Sequence, residues 1–273
     1  MKKLVVGALL IVLPLTVFPC TASELVVGKF SLGDLTGWSD EIFKGRTTYA
    51  LVADNGKTFI ESVPTTIINN FSVDPITIDD LKVSPENFSF IDNQIPVIEA
   101  LDGQLITNKI FSMSLIKNGE LISDIDDDIL KIVVVNRYHK APVAKAFIKN
   151  FGLKQGAIAS SVAHDSHNIV AIGCNDESLL KAINLIIQAK GGVSCVDEKG
   201  NEKIVALPVA GLMSNDDGYV IAAAYTAIDK MAKEMGSALS APFMTLSFMA
   251  LLVIPHIKLS DKGLFNGDNF SFF

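Results

Sequence analysis

The densest group of chemically capable residues is the stretch from Ser160 to Asn168, SSVAHDSHN, which we call the polar turn. Within it, His164, Asp165 and His167 offer two imidazoles and a hard oxygen, enough for a partial divalent metal site. The same three side chains could instead form a proton shuttle, because histidine titrates near neutral pH. The alternative is a hydrogen-bonded structural turn in which Asp165 or Asn168 caps backbone groups.

The flanking sequence predicts how the polar turn is held. Apolar runs stand on both sides, AIAS before it and IVAIG after it, and each is typical of a buried strand. A polar turn between two buried strands is a place where a rigid scaffold presents functional groups.

Strands and helices alternate through the rest of the chain. The run Ile129–Val135, ILKIVVV, indicates a strand that is buried on both faces. Residues 177–190 have apolar positions at helical spacing, with Asp176 as the predicted N-cap and Gly191 as the stop. A second helix is predicted over 217–235, and a hairpin over 191–209 between the two helices. The fold class is therefore α/β to mixed α+β.

Composition excludes some classes of partner. The 273 residues carry a net charge of −7 and no long basic run, which argues against nucleic acid. Cys174 and Cys195 lie in apolar stretches and are predicted to be buried thiols. The apolar run 243–255 is too short to span a membrane, so we predict that it is core.

The N-terminus has the pattern of an export signal. Lys2-Lys3 precedes an uncharged apolar run, and small residues at Cys20 and Ala22 fit a cleavage site. We therefore predict a signal peptide over 1–22, an exported or periplasmic protein, and no transmembrane span after cleavage.

Residues 23–70 predict a β-rich segment and a junction, with a turn at Asn55-Gly56. The residues GKFS, GW and FKGRTTYALV resemble the opening of an uncharacterised family of exported bacterial proteins with β-sandwich modules.

Four ordered blocks between about Ser72 and Asp268 resemble the C-terminal domain of bacterial adenine deaminases, a branch of the amidohydrolases. The blocks are DDILKIVVVNRYH, GLKQGAIASSVAHDSHNIVAIGCND, LPVAGLMSND and PFMTLSFMALLVIPHIKLSDKGLFN. The small departures, at Tyr138-His139, Ala141-Pro142 and 265–267, affect only edge geometry. We therefore assign residues 71–273 to this domain.

The resemblance implies an activity and a division of labour. Adenine deaminases resemble a (β/α)8 barrel with a divalent metal, manganese or iron, followed by this domain; metal-bound hydroxide converts adenine to hypoxanthine and ammonia. No H-x-H motif precedes Ser72, and the space there is too short for a barrel of roughly 250 residues. We therefore expect the barrel to be absent from this chain, the metal ligands to lie mostly in it, and the domain to be inactive alone.

Five residues of the polar turn are then expected to face the barrel's active site, as listed here: Ser161, His164, Asp165, His167 and Asn168. Of these, His164, Asp165 and His167 remain weak metal-ligand candidates.

The resemblance implies adenine as substrate, a separate barrel subunit or a homo-oligomer as partner, and a cytoplasmic location, in contrast to the signal peptide. A fusion, a gene remnant or an assembly error would each explain the contrast. The alternative function is an exported, non-catalytic β-rich binding module with an appended domain.

Overall fold

The computed structural model describes residues 53–54, 57–58 and 66–273. Two short strands, β1 (Ala53–Asp54) and β2 (Lys57–Thr58), pair antiparallel on either side of Asn55-Gly56, as the turn dipeptide predicts. Residues 66–273 belong to the larger of two compact units. The predicted signal peptide and the other predicted strands of the N-terminal segment lie outside the described residues.

The larger unit contains thirteen strands, three α-helices and two 3-10 helices. The strands are β3 (Ile95–Ala100), β4 (Thr107–Ser112), β5 (Leu115–Lys117), β6 (Glu120–Ile122), β7 (Ile129–Val135), β8 (Ala144–Lys149), β9 (Ala157–Ser160), β10 (Ile169–Gly173), β11 (Gly192–Val196), β12 (Glu202–Ala206), β13 (Ile257–Ser260), β14 (Gly263–Asn266) and β15 (Ser271–Phe272). The helices are α1 (Asp176–Ala189), α2 (Gly218–Glu234) and α3 (Pro242–Ser247), with 3-10 helices at Ile78–Leu81 and Pro85–Asn87.

Eight strands form one open sheet in the order β12-β11-β9-β10-β7-β8-β3-β4. Every neighbouring pair is antiparallel except β3 and β8, which run parallel. Three strands, β13 to β15, form a smaller antiparallel sheet, and β5 pairs with β6. The predicted mixed α+β class is confirmed, and the hairpin predicted between the two helices is the β11–β12 pair.

Strand β7 lies inside the sheet, between β10 and β8, and all seven of its residues are buried, as its near-continuous apolar run predicts. The exception in composition is Lys131, which is 1% exposed. Its Nζ donates to an Asp176 carboxylate oxygen at 2.6 Å and to the Leu81 carbonyl oxygen at 3.1 Å. The buried ammonium therefore has an ionic partner and a second acceptor, as a buried charge requires.

Helix α1 covers one face of the sheet. Leu179, Ile183 and Ile186 pack with Ala159 and Ala171, whose side chains point to that face because neighbours along a strand alternate. The N-cap is Asn175, whose side chain accepts from the Ser178 N–H. The prediction of Asp176 as N-cap was therefore wrong by one residue.

Helices α2 and α3 cover the opposite face, over Ile158 and Val170. Asp217 caps α2, where its carboxylate accepts from two backbone N–H groups of the first turn. Helix α3 and the turns after it are mainly buried from Pro242 to Leu251, so most of the apolar run 243–255 is core, as predicted. Among the described residues, none of the helices combines the length and apolar character needed to cross a membrane.

Candidate functional site

The polar turn joins β9 to β10, two adjacent antiparallel strands whose residues Ser160 and Val170 are paired. All residues of both strands are buried. The turn therefore stands at one end of the sheet on two fixed supports, as the flanking apolar runs predict.

Ser161 anchors the turn from within the protein and is 0% exposed. Its Oγ donates to the Gly211 carbonyl oxygen at 2.7 Å and accepts from the Gly192 N–H at 2.8 Å. Its own N–H donates to the Gly192 carbonyl oxygen at 2.9 Å. The structure thus gives Ser161 a structural role in place of the outward-facing one expected from the sequence.

Asn168 is the second inward anchor and is 2% exposed. Its Oδ1 accepts from the Arg137 N–H at 3.2 Å, and its Nδ2 donates to the Ser166 Oγ at 3.3 Å. It therefore ties the end of β7 to the turn and, like Ser161, does not point outward.

The two histidines are partly exposed and close together, with ring centroids 5.3 Å apart. The His164 ring stacks on Phe248 at 5.1 Å, and the His164 N–H donates to the Ser247 carbonyl oxygen at 2.9 Å. The His167 backbone is in the left-handed region, with φ of 53°, and its N–H donates to the Ala163 carbonyl oxygen. The turn is thus closed by backbone contacts, and neither imidazole is used to close it.

His167 is set to be neutral. Burial of the ring, then the proximity of His164 and of Arg137, lower the His167 pKa below its ordinary value of 6.5, against a smaller opposing effect of Asp165. Its Nδ1 is buried and has no hydrogen-bond partner in the described structure. The ring therefore offers a neutral hydrogen-bonding group near neutral pH.

Asp165 is the exposed carboxylate of the turn, and its side chain makes no hydrogen bond or ion pair to any described residue. Together, His164, Asp165 and His167 present two imidazoles and one acceptor at a surface. This set can hydrogen-bond a polar ligand or a facing protein surface.

The same set does not fit a resident divalent metal. No group of three or more His, Cys, Asp or Glu residues is arranged to hold a metal ion within the part of the chain that the structure describes. One of the possible donors, the His167 Nδ1, is sealed from solvent. A metal site needs several converging donors, and these residues do not converge.

Arg137, which follows β7, was not singled out by the sequence pattern, although it is 4% exposed and bonds to the turn. Its Nη2 donates to the Tyr138 hydroxyl at 3.0 Å, and that hydroxyl donates to the Ser166 carbonyl oxygen at 2.7 Å. The available signal was an arginine two residues after the end of the buried strand β7, where a charged side chain needs specific partners.

The two described cysteines are buried and reduced. Burial raises the pKa of each thiol, Cys174 and Cys195, to about 12. The prediction of two buried thiols is confirmed, and both are poor nucleophiles.

Comparison with known proteins gives one consistent result. A family model for the adenine deaminase C-terminal domain matches residues 104–271. An adenine deaminase of Salinibacter ruber is 45% identical over 225 residues, covering 82% of this chain and 40% of the relative. One from Sulfurovum sp. is 54% identical over 177 residues, covering 64% of this chain and 32% of the relative.

An adenine deaminase of Borreliella burgdorferi is 41% identical over 265 residues, covering 93% of this chain and 47% of the relative. The chain thus spans less than half the length of these relatives. This match covers 93% of the 273 residues, which is about 254 residues, whereas only 208 residues lie between 66 and 273. The match therefore extends into the segment before Thr66. At least part of the N-terminal segment therefore shares the same similarity.

Proposed function

Because the chain belongs to the adenine deaminase C-terminal domain family, we propose that it serves the hydrolysis of adenine to hypoxanthine and ammonia. The observation that carries the proposal is the similarity to adenine deaminases at 41–54% identity. The extension of one match into the segment before Thr66 supports this function over a binding module with an appended domain.

In this proposal the chain does not generate the nucleophile. The described residues do not fit a metal, so the divalent metal that the family implies, manganese or iron, belongs to a (β/α)8 domain from outside the matched region. The catalytic domain is another segment of the same protein, a separate subunit or part of an assembled oligomer. The contribution of this chain is to contact the purine or the rim of the catalytic domain.

The polar turn is the surface proposed for that contact. His164, Asp165 and His167 are its outward groups, and their chemistry suits the edge of a purine, which carries both hydrogen-bond donors and acceptors. Ser161 and Asn168 fix the turn from inside, which is the support that a precise contact needs.

A second surface supports contact between this domain and the catalytic domain. The first two turns of α2 expose apolar side chains, with Tyr219 82% and Val220 60% exposed. The last turns of the same helix carry the exposed ion pairs Lys230–Glu234 and Lys233–Asp229. An apolar surface on one half of an otherwise charged helix face is typical of a protein contact.

This apolar surface is connected to the polar turn by aromatic contacts. Tyr225 of α2 lies 6.2 Å from Phe243 of α3, and Phe248, directly after α3, stacks on His164. Both surfaces therefore belong to the same layer of the domain. We place the catalytic domain over both.

An adenine-to-hypoxanthine assay tests the function. The purified full chain, with or without manganese or iron, should form no hypoxanthine above background, because no described residue set can lower the pKa of water as a coordinated metal does. Addition of the B. burgdorferi relative without its matched C-terminal region should restore turnover.

Two variants locate the contact in that mixture. Asp165→Ala should lower the restored rate by about tenfold, the size of one lost hydrogen bond to a charged group. The matched control is Lys154→Ala, an exposed cation that precedes β9, at the opposite end of the strand from the turn. Turnover by the chain alone would refute the division of labour, and equal rates for both variants would refute the role of the turn.

A further inference from the structure

Arg137 carries a buried positive charge that no carboxylate in the described structure neutralises. Its guanidinium lies over two rings, 5.4 Å from the centroid of Phe71 and 4.8 Å from that of Tyr138. Nη1 donates to the Ala210 carbonyl oxygen at 2.8 Å, and Nε is buried without a partner. Contacts with two aromatic faces stabilise a desolvated cation, but they leave its net charge in place.

Three hydrogen bonds connect this residue to the polar turn. The Arg137 N–H donates to Asn168, Nη2 donates to the Tyr138 hydroxyl, and that hydroxyl donates to the Ser166 carbonyl oxygen. The backbone of Arg137 thus holds Asn168, the last residue of the turn, and its guanidinium holds Ser166 through Tyr138. The turn and the uncompensated charge form one unit.

The position of the charge decides which ligands the turn accepts. Charges interact more strongly in the protein interior than in water, because the effective dielectric constant is lower. A divalent cation at His164 and His167 would be repelled by Arg137, and Asp165, which is exposed and solvated, compensates only weakly. An electron-rich group would be attracted.

We propose that Arg137 is the positioning residue of the polar turn, and that its charge makes the turn a surface for electron-rich hydrogen-bonding groups that excludes divalent cations. The electron-rich ligand rests on the proposed function, in which the turn faces a purine. The fixed turn and the exclusion of cations are properties of this chain alone, and they are tested without any deaminase assay.

Manganese chloride, added during NMR observation of the histidine rings of the full chain, tests the exclusion. His256 is the internal reference, because its Nδ1 contacts the half-exposed Asp268 carboxylate. The other oxygen of that carboxylate pairs with the Lys109 ammonium at 2.8 Å, so the positive charge beside His256 is neutralised, whereas that of Arg137 has no carboxylate partner in the described structure. In the wild-type chain, paramagnetic broadening should reach His256 well before His164 and His167. Selective broadening of His164 and His167 while His256 remains sharp would overturn the proposal.

Three variants separate charge from structure. Arg137→Met should lower the manganese concentration that broadens His164 and His167 by about tenfold, since a removed like charge is worth at least that much. Arg137→Lys keeps the charge and should behave as wild type. Lys154→Met is the matched control, because it removes an equal charge at the far end of β9. A folded Arg137→Met chain with the wild-type manganese response would overturn the electrostatic part. If this variant does not fold, the wild-type comparison with His256 decides.

Tyr138→Phe tests the positioning part, because it removes one hydroxyl and keeps both the ring and the Arg137 charge. Amide hydrogen exchange at His167, whose N–H closes the turn on the Ala163 carbonyl oxygen, should become about tenfold faster, because one of the hydrogen bonds that hold the turn is lost. Tyr225→Phe is the matched control, since no described residue bonds to that hydroxyl. Unchanged exchange in Tyr138→Phe would overturn the positioning role, and neither result bears on the deaminase assay.

Discussion

Replacement of Ser161 by alanine should destabilise the protein strongly, although serine and alanine differ by a single hydroxyl group. Ser161 is 0% exposed, and its Oγ serves two backbone groups, the Gly192 N–H at 2.8 Å and the Gly211 carbonyl oxygen at 2.7 Å. Alanine leaves both groups buried and unpaired. Each such group costs about 1–3 kcal/mol, so for the two groups we expect a loss of about 2–6 kcal/mol in the free energy of unfolding.

Urea denaturation followed by circular dichroism measures this loss, provided that the slope with denaturant is the same for variant and wild type. Asp165→Ala is the control from the same turn, because Asp165 is exposed and bonds to no described residue; it should change stability by less than about 0.5 kcal/mol. A Ser161→Ala midpoint equal to that of Asp165→Ala would refute the assignment of Ser161 as an inward anchor.

Three further predictions concern the surroundings of the turn and the smaller sheet. Gly211→Ala should destabilise the protein more than Gly103→Ala. Both glycines have similar positive φ, 72° and 68°, but only at Gly211 would the new Cβ lie 1.8 Å from the Arg137 Nη1. Thermal unfolding compares the two variants, and equal losses of stability would contradict the close contact. Because the His167 pKa is lowered in the folded chain, the unfolded chain binds a proton more readily below pH 6.5, and stability falls as pH falls through that value. His167→Gln should flatten this part of the profile of stability against pH. An unchanged profile would argue against the lowered His167 pKa. Burial lowers the pKa of Lys258 from 10.5 to about 8, so the charged side chain destabilises the fold below pH 8. Lys258→Met should therefore stabilise the protein at pH 7 by about 1–3 kcal/mol, and the gain should shrink towards pH 10. A loss of stability at pH 7 would show that the hydrogen bond from Lys258 to the Leu105 carbonyl oxygen matters more.

The sequence predicted those parts of the fold that depend on local pattern. The β7 run, the apolar stripe of α1 and the paired strands around the polar turn all follow from periodicity and capping. The N-cap of α1 was missed because Asp176 is also a good capping residue, and it binds Lys131 instead. That pairing joins residues 45 positions apart, and no local pattern contains it.

The candidate site contains both buried and exposed polar residues, and residue type alone does not show which are which. Ser161 and Asn168 are buried anchors, whereas Asp165 is exposed, yet all three are polar residues of the same short segment. The difference comes from Gly192, at the start of β11, and Gly211, in a loop, whose backbone groups approach Ser161 from 31 and 50 residues away. Only the folded chain brings these groups together.

The two roles within the turn depend on each other physically. An outward imidazole or carboxylate contributes to recognition only if its position is fixed within a fraction of an ångström, because a loosely held group loses the entropy advantage of preorganisation. Ser161 and Asn168 supply that fixation through five hydrogen bonds: four hold the turn to β11, the Gly211 loop and Arg137 after β7, and the fifth, from Asn168 to Ser166, lies within the turn. The side chains of His164, Asp165 and His167 form none of these hydrogen bonds, although the His164 ring packs on Phe248. In the proposed function these three side chains, which form no side-chain hydrogen bond to a described residue, are the groups available for a ligand or a facing domain.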